Sequence, residues 1–401
     1  MGKWTAEVAV VGGGPAGLTA AIALARAGIE TVLVSKRPPQ HDHRTTALLL
    51  SSVTALDALG VWTRCQAQAA PLRAIRIIDD TARLLRAPEI TFEASEIGLD
   101  AFGHNIENRH LLAALDACAA ELPAVTRIED AARVLDISGR GVTARLEGGD
   151  EVSARLVVGA DGRRSLCRAA AGIESDGRTY AQTALTFNLG HARPHENIST
   201  EFHTPAGPFT LVPLPGRRSS LVYVADPATA QSVAEMDDAA LSEALERRAH
   251  SILGKLTVER GRGAFPLVIE TAHRFAANRV ALVGEAAHVL PPIGAQGLNL
   301  GLRDAATIAE IVIDARRAGT DVGGATVLAR YDGLRRSDVA SRTLAVDLLN
   351  RTLLSDFLPL QGARQLSFFL LQHIGPLRRA VMREGIAPAA SQPRLMRGEI
   401  L

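Results

Sequence analysis

Residues 8–17 read Val8-Ala9-Val10-Val11-Gly12-Gly13-Gly14-Pro15-Ala16-Gly17, and this stretch decides the fold. Four consecutive apolar residues predict a parallel strand buried on both faces. The turn that follows satisfies Gly-x-Gly-x-x-Gly. Leu18 to Ala27 are mostly alanine and leucine, which favour helix, and Gly28 stands where a C-cap glycine belongs. Thr31-Val32-Leu33-Val34 then predicts a second strand parallel to the first. Gly12 permits the tight turn, Gly14 lets a diphosphate approach the backbone, and Gly17 lets the helix pack on the sheet. The helix N-terminus that opens at Pro15 presents free N–H groups, from Ala16 onward, to the anion. A glycine pattern alone is weak evidence; between a strand and a helix it points to dinucleotide binding. One part is missing, because the second strand ends in Ser35-Lys36 instead of an acid for the adenosine ribose.

Two later segments choose the dinucleotide. Leu156 to Gly162 is a strand ending in Asp161-Gly162, and Val280 to Val283 is another, followed by Gly284 and Glu285. His288, Pro291-Pro292, Gly294, Gln296-Gly297 and Asn299 lead from there into a long helix predicted from Leu298 to Ala318. An acid at a strand end can hydrogen-bond ribityl hydroxyls. The N-terminus of the next helix points positive charge at whatever lies above it, as the N1/C2=O edge of a reduced flavin requires and a nicotinamide does not. The order strand-glycine-helix, strand-Asp-Gly, strand-Gly-acid-helix therefore predicts FAD.

The remainder fits an α/β protein. The 401 residues suffice for two to three domain-sized units, with ordinary apolar and charged fractions. A formal charge of +1 argues against a nucleic-acid partner. Cys65, Cys118 and Cys167 are sparse and widely spaced, which suits a reducing cytoplasm. No secretory leader and no membrane-spanning run of apolar residues are expected. Val142–Leu146 and Val152–Val158 read as strands turning at Gly148-Gly149-Asp150, and 209–214 with 221–224 as a hairpin turning at Pro215-Gly216. Residues 181–270 read mostly as short strands with one helix near Asp238 to His250. From Asp338 the chain reads as helical, with breaks at Pro359 and Pro376.

The segments GGGPAG, GADG and GEAAHVLPPIGAQGLNLGLRD together resemble the single-component FAD aromatic hydroxylases. The run from His288 to Asp304 is similar to the ubiquinone-biosynthesis hydroxylase family, as are Arg44 to Leu48, Glu107-Asn108-Arg109 and Pro376 to Arg383. Glu285 departs from the aspartate of many relatives. Pro291-Pro292 is reminiscent of para-hydroxybenzoate hydroxylase, although Gln296 stands where that group usually has lysine. The resemblance implies a Rossmann-like FAD-binding domain (1–71, 102–178 and 273–337) interrupted by a β-rich substrate domain (72–101 and 179–272), with a helical C-terminal region (338–401). It implies that NADH or NADPH supplies electrons and O2 the oxygen for hydroxylating an aromatic ring.

By motif position, Gly12, Gly14, Pro15, Ala16, Gly17, Arg44, Arg109, Asp161, Glu285, Gly297, Leu298 and Asn299 are expected to bind the cofactor, with Pro292 and Gly294 shaping the flavin-facing loop. Arg44 could instead form a loop salt bridge, and Arg109 a solvated surface residue. His288 is read as a packing or hydrogen-bonding residue before a base, and Tyr223 as core before ring contact. His41 and His43 flank Asp42 without a further ligand, so no metal is expected. The apolar tail (Leu348, Leu349, Leu353, Leu354, Phe357, Leu358, Phe368 to Leu371) reads as packing on the FAD domain, with a peripheral membrane contact as the alternative. The leading function is hydroxylation of a polyprenylated phenol, in or beside a ubiquinone-biosynthesis complex at the inner membrane face. A small soluble phenol as substrate and a catalytically silent FAD scaffold are the competing readings.

Overall fold

The computed structural model describes residues 2–36, 42–81, 87–292, 294–354, 369–386 and 392–401. Its first three elements are β1 (Lys3–Val11), α1 (Pro15–Arg26) and β2 (Thr31–Val34). β1 lies between β2 and the strand Glu151–Gly159, parallel to both. The sheet continues to Val125–Ile128 on one side and Val280–Leu282 on the other, again parallel. Val8, Val10, Leu156, Val158 and Leu282 are fully buried, so these strands read as continuous apolar runs because both faces are covered. Gly28 ends α1 at φ +74°, and Gly149 at φ +92° turns the predicted hairpin into Glu151–Gly159.

The chain leaves this sheet to build a second one. Its body is Ser175–His191, Ile198–Thr204, Gly207–Leu214, Arg218–Ala225 and Gly263–Ala272, joined by Ala74–Asp79 and Ile90–Glu93 from the first half. These strands are longer than the expected short ones. Ser175–His191 has 17 residues and crosses the expected boundary at 178/179. A second helix, Pro227–Glu235, accompanies the predicted one at Asp238–Arg248. Its start was written in the sequence: Asp226 accepts the Thr229 N–H as N-cap, and Pro227 occupies the first turn, where no N–H is needed. Leu185, Phe187, Leu221 and Tyr223 bury one sheet face against Val233, Leu241 and Leu245 of the two helices. Full burial of each such side chain stabilises by roughly 1.5–3 kcal/mol.

The chain then returns to the first sheet. The helix Gln296–Arg317 packs along α1, and Ala325–Leu354 runs unbroken through 337/338, where the C-terminal region was expected to begin. Pro359 and the side chains of Leu348, Leu349, Leu353, Leu354, Phe357, Leu358 and Phe368 lie outside the described residues. The second expected break falls at Ile374, and Pro376 sits in the first turn of the helix Gly375–Ile386. Among the described residues no helix is long and apolar enough to cross a membrane.

Candidate cofactor and active site

The glycine turn is built by close approach. Gly12 has φ +115°, and a Cβ there would collide with the Ala160 carbonyl; at Gly17 it would strike the Gly12 carbonyl and the Ala160 methyl. Only hydrogen fits at either position, and the Gly12 N–H is satisfied by Val34 O at 2.9 Å. Gly14 is different: a Cβ there meets nothing within 4 Å. Its φ of −73° and ψ of 174° suit any residue, so the space above it, not its backbone, is what glycine preserves. The N–H groups of the first turn of α1 have no intrahelical acceptor and open into that space.

A second helix start arrives from the far end of the sequence. Ala295 adopts the left-handed conformation (φ 54°) before Gln296–Arg317, and no side chain caps this helix. Gly294 (φ +66°) and Pro292 are exposed beside it, and a Cβ on Gly297 would meet nothing. Ala16 in α1 joins the two turns, because its methyl lies 3.3 Å from the Cβ position of Gly284 and 3.4 Å from that of Gly301. The Asn299 side chain, 6% exposed, was expected only to lend a backbone N–H. It also accepts from Leu49 N at 2.9 Å and donates to Ala47 O at 2.8 Å, tying the strand Thr45–Leu49 to the helix start.

Beneath this turn lies a polar network that sequence reasoning did not find. Asp304 is fully buried; its Oδ2 accepts from the Gly284 N–H (2.9 Å) and bonds His288 Nε2 (2.7 Å), and its Oδ1 meets Arg335 Nε at 2.6 Å. Burial alone would raise the Asp304 carboxyl, but His288 and Arg335 outweigh it and hold the group below its usual value. Asp338 works against burial in the same way: Arg335, Arg303 and Arg342 hold it down to about 2. Arg342 also reaches Gln296 at 3.3 Å. His288 is thus an anchoring residue with its Nε2 occupied. The only sequence hint was the spacing of His288, Asp304 and Arg335, whose partners lie 16 and 31 residues apart.

Of the predicted acids and arginines, three already have partners within the chain. Asp161 lies two residues past the strand Glu151–Gly159 and accepts from Ser165 Oγ (2.5 Å) and the Cys167 N–H (3.0 Å) at the start of the next short helix, which Ser165 N-caps. Glu285 is exposed and has no hydrogen-bond partner among the described residues. Arg44 is half-exposed and bidentate on Asp42 (2.9 and 2.7 Å), and its guanidinium lies 5.7 Å from the Phe265 ring centroid. The Asp42 carboxylate, with a smaller contribution from Glu285, raises the Arg44 pKa. Arg109 pairs at 2.8 Å with Glu107, which is itself buried and held by Arg218. Tyr223 is 2% exposed in the core behind the second sheet, under the Arg248 guanidinium at 4.7 Å. On the opposite face Asn105 donates to Pro213 O and Ser220 Oγ, and Asn188 to His43 O, so that face meets the first domain.

This arrangement fits FAD. A Cβ on Gly14 meets nothing within 4 Å, the second helix start carries no side-chain cap among the described residues, Ala16 packs against Gly284 and Gly301 between them, and Glu285 is exposed. Fold and site together define a flavoprotein with a discontinuous dinucleotide-binding domain. Residues 5–345 match the family described as FAD binding domain, and the chain belongs to that family. The ubiquinone hydroxylase UbiL of Rhodospirillum rubrum is 36% identical over 98% of this chain and 93% of its own length. The 3-demethoxyubiquinol 3-hydroxylase of Escherichia coli is 31% identical over 94% of this chain and 97% of its own. In fold, the chain is similar to the p-nitrophenol 4-monooxygenase PnpA of Pseudomonas putida, with a TM-score of 0.79 at 22% identity, covering 98% of this chain and 100% of that one. The chain is an FAD-dependent aromatic-ring monooxygenase that uses NAD(P)H and O2.

Proposed function

We propose that this enzyme hydroxylates a polyprenylated phenol on the route to ubiquinone. The observation that carries the proposal is full-length similarity to two hydroxylases of ubiquinone compounds, with the turn at Glu285 to Asn299 intact. Bound FAD supplies the redox chemistry, accepting electrons from NAD(P)H and passing oxygen from O2 to the ring. The chain's own residues supply binding and orientation. The first turn of α1, from Gly14 through Pro15 and Ala16 to Gly17, cradles the diphosphate, while Arg44 and Arg109 flank it with positive charge. Glu285 accepts from cofactor hydroxyls, and Asp161 keeps a lone pair on each oxygen for the same purpose. The N–H groups at Gly297, Leu298 and Asn299 face the N1/C2=O edge, where a helix terminus stabilises negative charge by about 1 kcal/mol. Pro292 and Gly294 shape the loop over the ring.

The helix Gly375–Ile386 supports a route for a lipid substrate. Met382 packs inward and Arg378 pairs with Glu96, whereas Leu377 and Val381, one turn apart on a single helix face, are 41% and 47% exposed. An exposed apolar row, with Arg379 and Arg383 elsewhere on the helix, suits a bilayer surface. Co-sedimentation with anionic liposomes checks this: Leu377→Ser with Val381→Ser should release the protein, and unchanged sedimentation would point to a protein partner instead. For the function itself, the chromosomal gene is deleted and the accumulated quinone precursor is analysed by mass. A polyprenyl ring lacking one hydroxyl is expected, and normal ubiquinone with a soluble phenol accumulating would overturn the proposal.

A further inference from the structure

The residue after β2 is Ser35, at the strand end where an acid was expected, and its surroundings replace the acid's function. The Ser35 N–H is fixed by Ile128 O at 3.1 Å, and the residue is 5% exposed, yet its Oγ has no partner among the described residues. Beside it, the strand Val125–Ile128 pairs with β2 in the register Leu33 to Arg127. Arg127 Nη1 bonds Asp116 at 2.6 Å, which aims the guanidinium, but its Nε and Nη2 are buried without an acceptor. The two groups converge on the glycine turn: a Cβ at Gly13 would lie 2.5 Å from Ser35 Oγ and 3.9 Å from Arg127 Nη2. A buried donor left unmade costs about 1–3 kcal/mol, more when charged, so such groups side by side mark the place of a ligand.

We propose that Ser35 and Arg127 hold the adenosine ribose of the dinucleotide in place of the missing acid, and that this subsite accepts an anionic ribose. A carboxylate at position 35 would only accept hydrogen bonds and would repel a phosphate on the ribose. Serine with arginine reverses both properties. The hydroxyl donates or accepts, and the guanidinium donates to a ribose oxygen or pairs with an added phosphate. Asp116 offsets part of the charge from the far side without reaching the turn. The proposal rests on the reading that α1 carries the FAD diphosphate.

The test uses the holoprotein stripped of flavin, with FAD rebinding followed by quenching of flavin fluorescence. Two competitors that differ only at the 2′ position are compared, 5′-AMP and adenosine 2′,5′-bisphosphate. The bisphosphate is expected to compete at least as well as 5′-AMP. Ser35→Glu should shift the preference toward 5′-AMP by about tenfold or more, and Arg127→Met should weaken the bisphosphate more than 5′-AMP. A wild-type preference for 5′-AMP of about tenfold would overturn the proposal while leaving the diphosphate placement intact. If neither nucleotide displaces FAD, both the proposal and that placement fail.

Discussion

The turn before α1 is fixed by missing side chains, and the turn before the Gln296–Arg317 helix by present ones. At Gly12 and Gly17 backbone packs directly on backbone, so the geometry is set within a few residues of sequence. The second turn has left-handed residues at Gly294 and Ala295 but no comparable backbone crowding. It is held through Asn299 to residues 47 and 49, and through Asp304 to His288 and Arg335. In the proposed placement the two starts serve one ligand, and their supports are unlike. Steric support tolerates changes of pH and charge, whereas ionic support is sensitive to both, and the comparison can be broken at either end.

The largest expected effect is at the ionic end. Asp304→Ala leaves Arg335 and His288 facing a buried vacancy, which should destabilise by about 3–5 kcal/mol in urea denaturation. A loss below about 1 kcal/mol would show that the network is not what holds the turn. At the steric end, Gly14→Val should fold normally, since its Cβ meets nothing. It should nonetheless lose FAD affinity by at least about a hundredfold and purify colourless. A yellow Gly14→Val protein with full flavin would mean the diphosphate lies elsewhere.

Smaller effects sharpen the contrast. The Asp338 carboxyl is held at about 2, against an ordinary 3.8. A depressed folded value stabilises above the unfolded one, and that stability disappears as pH falls from about 4 through about 2. Its size is on the order of 2 kcal/mol, and Asp338→Asn should flatten that part of the stability–pH curve. Asn299→Ala removes the tie to Leu49 and Ala47 and should cost about 1–2 kcal/mol, with weakened flavin binding and the α1 turn unaffected. Fluorescence titration with FAD separates it from Gly14→Val.

The same contrast explains what could be read in advance. The β-α-β unit, the Gly149 and Gly216 hairpins and the start of the long helix rest on local chemistry, so their residues announce them. Asp226-Pro227 announces a helix equally plainly, but the strand signals around it mask that cue. The extent of Ser175–His191 depended on pairing with strands up to 97 residues away in sequence, and local composition does not encode length. Likewise, nothing near Asn299 says that its amide will reach residue 47, or near Asp304 that Arg335 will meet it. Ser35 was legible as a departure, but its companion Arg127 emerges only when the neighbouring strand is laid beside β2.

The central claim is that two helix starts far apart in sequence, at Pro15 and Gln296, hold one FAD at its diphosphate and at its flavin ring. A crystal structure of the flavin-loaded enzyme tests it most directly. The diphosphate should lie against the backbone of Gly14 to Ala16, and the pyrimidine edge of the ring against the amides of Gly297 and Leu298. A flavin whose ring contacts the Tyr223 side of the second sheet, or whose diphosphate lies away from α1, would contradict the account.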